Sequence, residues 1–98
     1  MRDEAYLRKV RGLPCILRNA SSCFGVTEAD HVGADKGVAM KGSDHDAVPM
    51  CRNHHTQRHA MQGYFRGWDK ALMAAWRKWA IAATRKRLAV TMTTTLEW

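Results

Sequence analysis

Eleven residues decide the reading of this chain: Pro49-Met50-Cys51-Arg52-Asn53-His54-His55-Thr56-Gln57-Arg58-His59. His55 and His59 lie four apart, so a helix puts them on one face where both imidazoles reach one ion. His54 sits about 100° round that helix and needs another role. Cys51 precedes it by three residues, which is knuckle spacing, and Cys15 and Cys23 complete a tetrahedral set of three sulfurs and one nitrogen. Such a set reads as a closed structural zinc site pinning the N-terminal knuckle to the second half of the chain. Seven residues separate Cys15 from Cys23, where a tight knuckle has about two to four, so a loop is inserted there. Three cysteines cannot all pair within one chain, which favours metal ligation or plain burial over a disulfide framework.

Upstream, all the remaining histidines fall close by: His31 and His45 bring the total to five between residues 31 and 59. His45 reads as a loop histidine without a ligand role. Two histidines leave an ion under-coordinated, and the carboxylate of the Asp30-His31 pair supplies a third ligand while leaving positions open for water and a phosphate oxygen. Adjacent strand residues point to opposite sides, so one member of this pair binds and the other can act as a base.

Around these residues the chain divides into three blocks. Asp3 is an N-cap, and Tyr6, Leu7 and Val10 recur at helical spacing until Gly12 and Pro14, giving a helix over 4–11 within an N-terminal block 1–12. A knuckle and core occupy 13–60. Strands are expected over 26–32 and 47–50, with a glycine-containing connection carrying Gly33, Gly37 and Gly42, and Pro49 marks the second as an edge. A helix is expected over 52–61. The last block, 64–89, is a basic, tryptophan-rich helix in which Trp68, Leu72, Trp76, Trp79 and Ala83 form one apolar stripe, read as core rather than as a base-stacking platform. Residues 90–98 read as a frayed tail. The fold class is therefore α+β, in a single domain 1–98.

With 98 residues, 46% hydrophobic and 26% charged, the composition is that of one folded domain with a small core, and a second catalytic domain is excluded. The start of the chain, MRDEAYLRKV, lacks the apolar stretch of a secretory signal, and no run approaches the ~18 apolar residues needed to cross a bilayer. A soluble, cytoplasmic protein is expected. Residues 1–50 carry seven basic and seven acidic side chains, whereas 51–98 carry nine and two, so the net charge of +7 lies wholly in the second half. Charge of this kind attracts a phosphate backbone, and it equally describes a solvated helix face.

The order Glu28-Ala29-Asp30-His31-Val32, a glycine-containing loop, then Val48-Pro49-Met50-Cys51-Arg52-Asn53-His54-His55-Thr56-Gln57-Arg58-His59 resembles the HNH endonuclease superfamily with its ββα-metal fold. It is similar to the small phage and prophage HNH proteins, including the recombination-enhancement nuclease type, whose hallmark is an Asp/His-His pair followed by P-L-C-x-x-H-H-x-x-x-H. The leading Tyr6–Cys15 segment is similar to the helix and first knuckle cysteine of that group. The resemblance covers roughly residues 6–60 and leaves the terminal helix outside it. It implies that His31 is the general base, that Asp30, His55 and His59 hold a catalytic ion, and that Cys15, Cys23, Cys51 and His54 hold zinc. The family's middle asparagine, which braces the loop carrying the base, falls at Asp46; aspartate accepts hydrogen bonds but has no amide donor. Met50 stands where leucine is usual.

These readings combine into a metal-dependent DNA endonuclease of low sequence specificity in a bacterial host. His31 deprotonates water, and the ion, Mg²⁺, Mn²⁺, Ni²⁺ or Zn²⁺, stabilises the developing charge. Arg52, Arg58, Arg77, Lys78, Arg85, Lys86 and Arg87 position the DNA backbone. The alternatives are a non-catalytic zinc-binding nucleic-acid module and an accessory subunit of a phage packaging or recombination machine. The expected partners are DNA, a second copy of the chain in a homodimer, or a phage DNA-processing protein, with no membrane.

Overall fold

A computed structural model describes residues 2–20, 23–32 and 43–96. Among the described residues the chain forms a small α+β domain with three helices and one two-stranded antiparallel sheet. Helix α1 spans Glu4–Arg11, strand β1 Thr27–His31, strand β2 Ala47–Cys51, helix α2 Arg52–Ala60 and helix α3 Lys70–Leu96, with short 3-10 turns at Asp44–Asp46 and Gly63–Phe65. The glycine-containing connection expected between the strands, 33–42, lies outside the described residues. Among the described residues no helix is long and apolar enough to cross a membrane.

The carboxylate of Asp3 caps α1 by accepting from the Tyr6 amide at 3.1 Å, and Leu7 and Val10 turn inward against Ala47 and Leu88. Strand β2 is an unbroken apolar run and is buried along all five residues, between β1 and the helices. The Pro49 carbonyl accepts from the Ile16 amide at 2.7 Å, so the knuckle covers the strand's outer edge. The strands pair with Asp30 opposite Val48 and His31 opposite Ala47.

Cys51 ends β2 and caps α2, its Sγ accepting from the His54 amide at 3.4 Å. The first amides of α2 find further acceptors on the chain that follows Cys23: Arg52 donates to the Val26 carbonyl at 2.9 Å and Asn53 to that of Phe24 at 3.3 Å. Gly25 allows this crossing. Its φ is +90°, and a Cβ there would stand 2.8 Å from the Arg52 Cβ.

Three expectations for the last block need correction. The helix starts at Lys70 and not at 64, because the Asp69 side chain accepts from the Leu72 amide at 2.8 Å and caps it, after a left-handed Gly67. It also runs on to Leu96, so the backbone of 90–96 is helical where a frayed tail was expected. The buried stripe is Met73, Trp76, Ala80, Thr84 and Leu88, whereas Leu72 and Trp79 are 48% and 52% exposed. Trp68 precedes the helix and so does not set its phase. It packs instead with Phe65 and Trp76, ring centroids 4.9 and 6.3 Å away.

Candidate metal centre

Cys15, Cys23, Cys51 and His54 present one ligand atom each, all within 4.8 Å of one another. The His54 Nδ1 lies 3.3 Å from the Cys51 Sγ and 3.7 Å from that of Cys15. A tetrahedral zinc with ordinary bond lengths would separate sulfur from nitrogen by about 3.6 Å, so this donor set fits the ion. The Leu17 amide points at the Cys15 sulfur at 3.4 Å, a donor suited to a thiolate. Burial pushes the Cys23 thiol up to about 12, with the Cys51 and Cys15 sulfurs adding to it, although the residue as a whole is exposed. Burial also acts to raise Cys51, but the His54 amide and then the Cys23 thiol outweigh it and bring its pKa down. Three adjacent sulfurs cannot all ionise unaided, and a cation is the natural compensation. The cluster can hold a metal such as zinc.

A second group forms where β1 meets α2. Asp30, His55 and His59 offer ligand atoms within 4.8 Å of one another. The two Nε2 atoms of His55 and His59 are 3.1 Å apart, and the His55 Nε2 is 3.5 Å from an Asp30 oxygen. Burial first, then the Arg58 charge, lowers the His59 pKa and favours the neutral imidazole that ligation requires. These residues line a cleft of about 420 Å³ together with Ala29, His31, Val32 and Arg58.

Two of the three imidazoles that line this cleft, those of His55 and His31, carry a carboxylate partner not expected from the sequence. The His55 Nδ1 contacts Glu28 at 2.7 Å, which fixes its tautomer and turns Nε2 toward the cleft. His55 foremost, then Arg52 at 3.1 Å, lowers the Glu28 pKa. The His31 Nε2 contacts Asp44 at 2.9 Å. The Asp3 amide, then His31, holds Asp44 below the usual carboxylate range. Glu28 was within reach of a period-two argument, since it shares a strand face with Asp30, two residues on. No local pattern points to Asp44.

These contacts bear on several residues assigned from the sequence. Asp46, given the bracing position, binds Arg85 through its carboxylate at 2.8 Å, and Asp44 is the carboxylate of the same turn that meets His31. Arg58, given to the DNA backbone, has a side chain only 12% exposed, and its Nε and Nη2 clasp both Asp30 oxygens at 2.6 and 2.7 Å. Arg87 is half-buried rather than displayed. Of the other cations, Lys78 and Lys86 are exposed, Arg77 is half-buried, Arg52 is paired with Glu28 yet exposed, and Arg85 binds the turn at Asp44–Asp46. His45, expected to have no ligand role, contacts Asp3 through its Nε2 at 2.9 Å. No family model matches the chain, and comparisons with curated proteins and with solved structures find no match.

Proposed function

We propose that the chain is a divalent-metal-dependent endonuclease of the HNH kind, hydrolysing phosphodiester bonds in DNA with low sequence specificity. One observation carries this reading: Asp30, His55 and His59 converge in a cleft that His31 also lines. A divalent ion held there, Mg²⁺, Mn²⁺, Ni²⁺ or Zn²⁺, would offset charge on the phosphoryl group and the departing 3′ oxygen. His31 handles the proton. With Nε2–H donated to Asp44, its Nδ1 carries the lone pair that accepts a proton from a water attacking in line. Glu28 keeps His55 in the ligating tautomer, and Arg58 orients the Asp30 carboxylate. Lys78, Lys86 and Arg52 are left to hold the phosphate backbone, which positions DNA without reading bases. The Cys15, Cys23, Cys51 and His54 set would hold structural zinc at the start of α2.

The test is nicking of supercoiled plasmid with added Mg²⁺ or Mn²⁺. Wild type should nick, His59→Ala should not while keeping its melting temperature, and His31→Ala should be slower by about 10²- to 10⁴-fold. Equal cleavage by wild type and His31→Ala, or by wild type in excess chelator, would overturn the reading. Arg58 favours a second one, a non-catalytic zinc-binding nucleic-acid module, because its guanidinium already satisfies both Asp30 oxygens without a cation. Metal analysis separates them: two ions per chain belong to the nuclease, one to the module.

A further inference from the structure

The resemblance ends near residue 60, yet α3 reaches back to the turn that orients His31. That turn, Asp44–Asp46, runs directly into β2, and it presents Asp44 to His31 while His45 and Asp46 face the other way. Arg85 fastens it from α3. Its Nε and Nη2 donate to the His45 carbonyl at 3.1 and 3.0 Å, and Nη2 also donates to an Asp46 carboxylate oxygen at 2.8 Å. The N-terminal end of α1 holds the same residues. The His45 ring meets the Asp3 carboxylate at 2.9 Å and stacks edge-on against Tyr6 at 4.8 Å, while the Asp3 amide donates to Asp44. A planar guanidinium can grip a carbonyl and a carboxylate at once, which an ammonium cannot do in the same plane.

We infer that Arg85 is a positioning residue for the base: by fixing the turn at Asp44–Asp46 it sets the Asp44 carboxylate that orients His31, and this gives α3 a part in the reaction. The inference rests on the nuclease reading. Arg85 is 53% exposed, so its hydrogen bonds add little to stability and act on geometry instead.

Two measurements test it. With a duplex oligonucleotide and Mn²⁺, Arg85→Met should lower kcat about tenfold with KM within about twofold, and Arg85→Lys should recover part of the loss. In an Asp44→Asn background the Arg85→Met change should add no further loss. A raised KM with unchanged kcat and a shallower salt dependence would make Arg85 a phosphate contact and overturn the inference, as would an equal loss in the Asp44→Asn background. The second measurement needs no cleavage. The hydrogen-bonded Nε2 proton of His31, identified by its absence in His31→Ala, should give a downfield proton resonance that broadens in Arg85→Met at an unchanged melting temperature. A resonance that stays sharp overturns the positioning role whether or not the chain cuts DNA, whereas loss of nicking alone, with the resonance behaving as expected, overturns only the nuclease reading.

Discussion

Glu28 and Asp44 each accept from one imidazole of the cleft, and so decide which ring nitrogen of His55 and of His31 is left with a lone pair. Glu28→Ala should therefore weaken Mn²⁺ binding at the Asp30, His55 and His59 group by about 10- to 100-fold, read by titration calorimetry on zinc-loaded protein. Unchanged affinity would show that His55 is oriented by something else. Arg58 poses the converse case. Asp30 is 1% exposed, and Arg58→Met would leave its charge buried without a counter-ion, at a cost of about 3–5 kcal/mol in metal-free protein. Divalent metal should then raise the variant's melting temperature more than the wild type's, and equal increments would mean that the ion and Asp30 do not meet. Asp3, Glu28 and Asp44 all have lowered pKa values, by His45, by His55 and by the Asp3 amide respectively. The sign follows: the stability they contribute is present above about pH 4 and is lost as pH falls through their lowered values. Melting temperatures taken from pH 6 to pH 3 should fall more steeply for wild type than for Asp44→Asn. At this scale the sequence made the ligand types legible, because Cys51 caps one short helix on which His54, His55 and His59 lie with fixed angular spacing. Asp44 was not legible. Its partner His31 lies thirteen residues upstream, and which of Asp44 and Asp46 faces it depends on the winding of a three-residue turn.

The elements follow from capping more than from periodicity. Helix α2 was readable over 52–61, and its ends are set by caps: the Cys51 sulfur accepts at the start, and Met61 closes it in the left-handed conformation with φ 54°. Helix α3 was readable in kind but not in phase. Tryptophans at 68, 76 and 79 invite a stripe through all three, yet Asp69 starts the helix after Trp68, and the buried face then passes through Met73, Ala80 and Thr84. Ala80 packs in the core with Val48 and Met50 of β2, and a residue so small does not announce a buried face. Thr84 is fully buried, returning its hydroxyl proton to the Ala80 carbonyl at 2.8 Å. The two phases make opposite predictions for a pair of substitutions. Trp76→Ala should cost about 3–5 kcal/mol in denaturant unfolding, whereas Trp79→Ala should stay within about 0.5 kcal/mol. Similar losses at both sites would mean that Trp79 is covered by something beyond the described residues.

At the scale of the molecule, the question is how so short a chain holds a cleft whose parts come from β1, α2 and the turn at Asp44–Asp46. One core joins the knuckle, β2 and α3 through Ile16, Leu17, Met50, Phe65 and Trp76, and a smaller one joins α1 to Ala47 and Leu88. A domain of this size buries only about two thirds of its unfolded surface, which leaves little margin. The Cys15, Cys23, Cys51 and His54 set lies where the knuckle, the end of β2 and the start of α2 meet, so an ion there would close loops that the apolar contacts leave to chain entropy. The general α+β plan and this staple could be read from the sequence because they depend on ligand types and hydrophobic runs. The clasp of α3 on the turn could not, because it depends on contacts some forty residues apart. Two chelation strengths should separate the two centres. A weak chelator should remove an ion from the Asp30, His55 and His59 group, which opens into the cleft, with the melting transition little moved, since Arg58 already balances Asp30. A strong chelator that takes the second ion should lower the transition by more than about 10 °C and broaden it, and Cys51→Ser should do the same without chelator. If the strongly chelated protein instead melts as before, the three sulfurs pack as thiols, and the cleft is held by the two apolar cores alone.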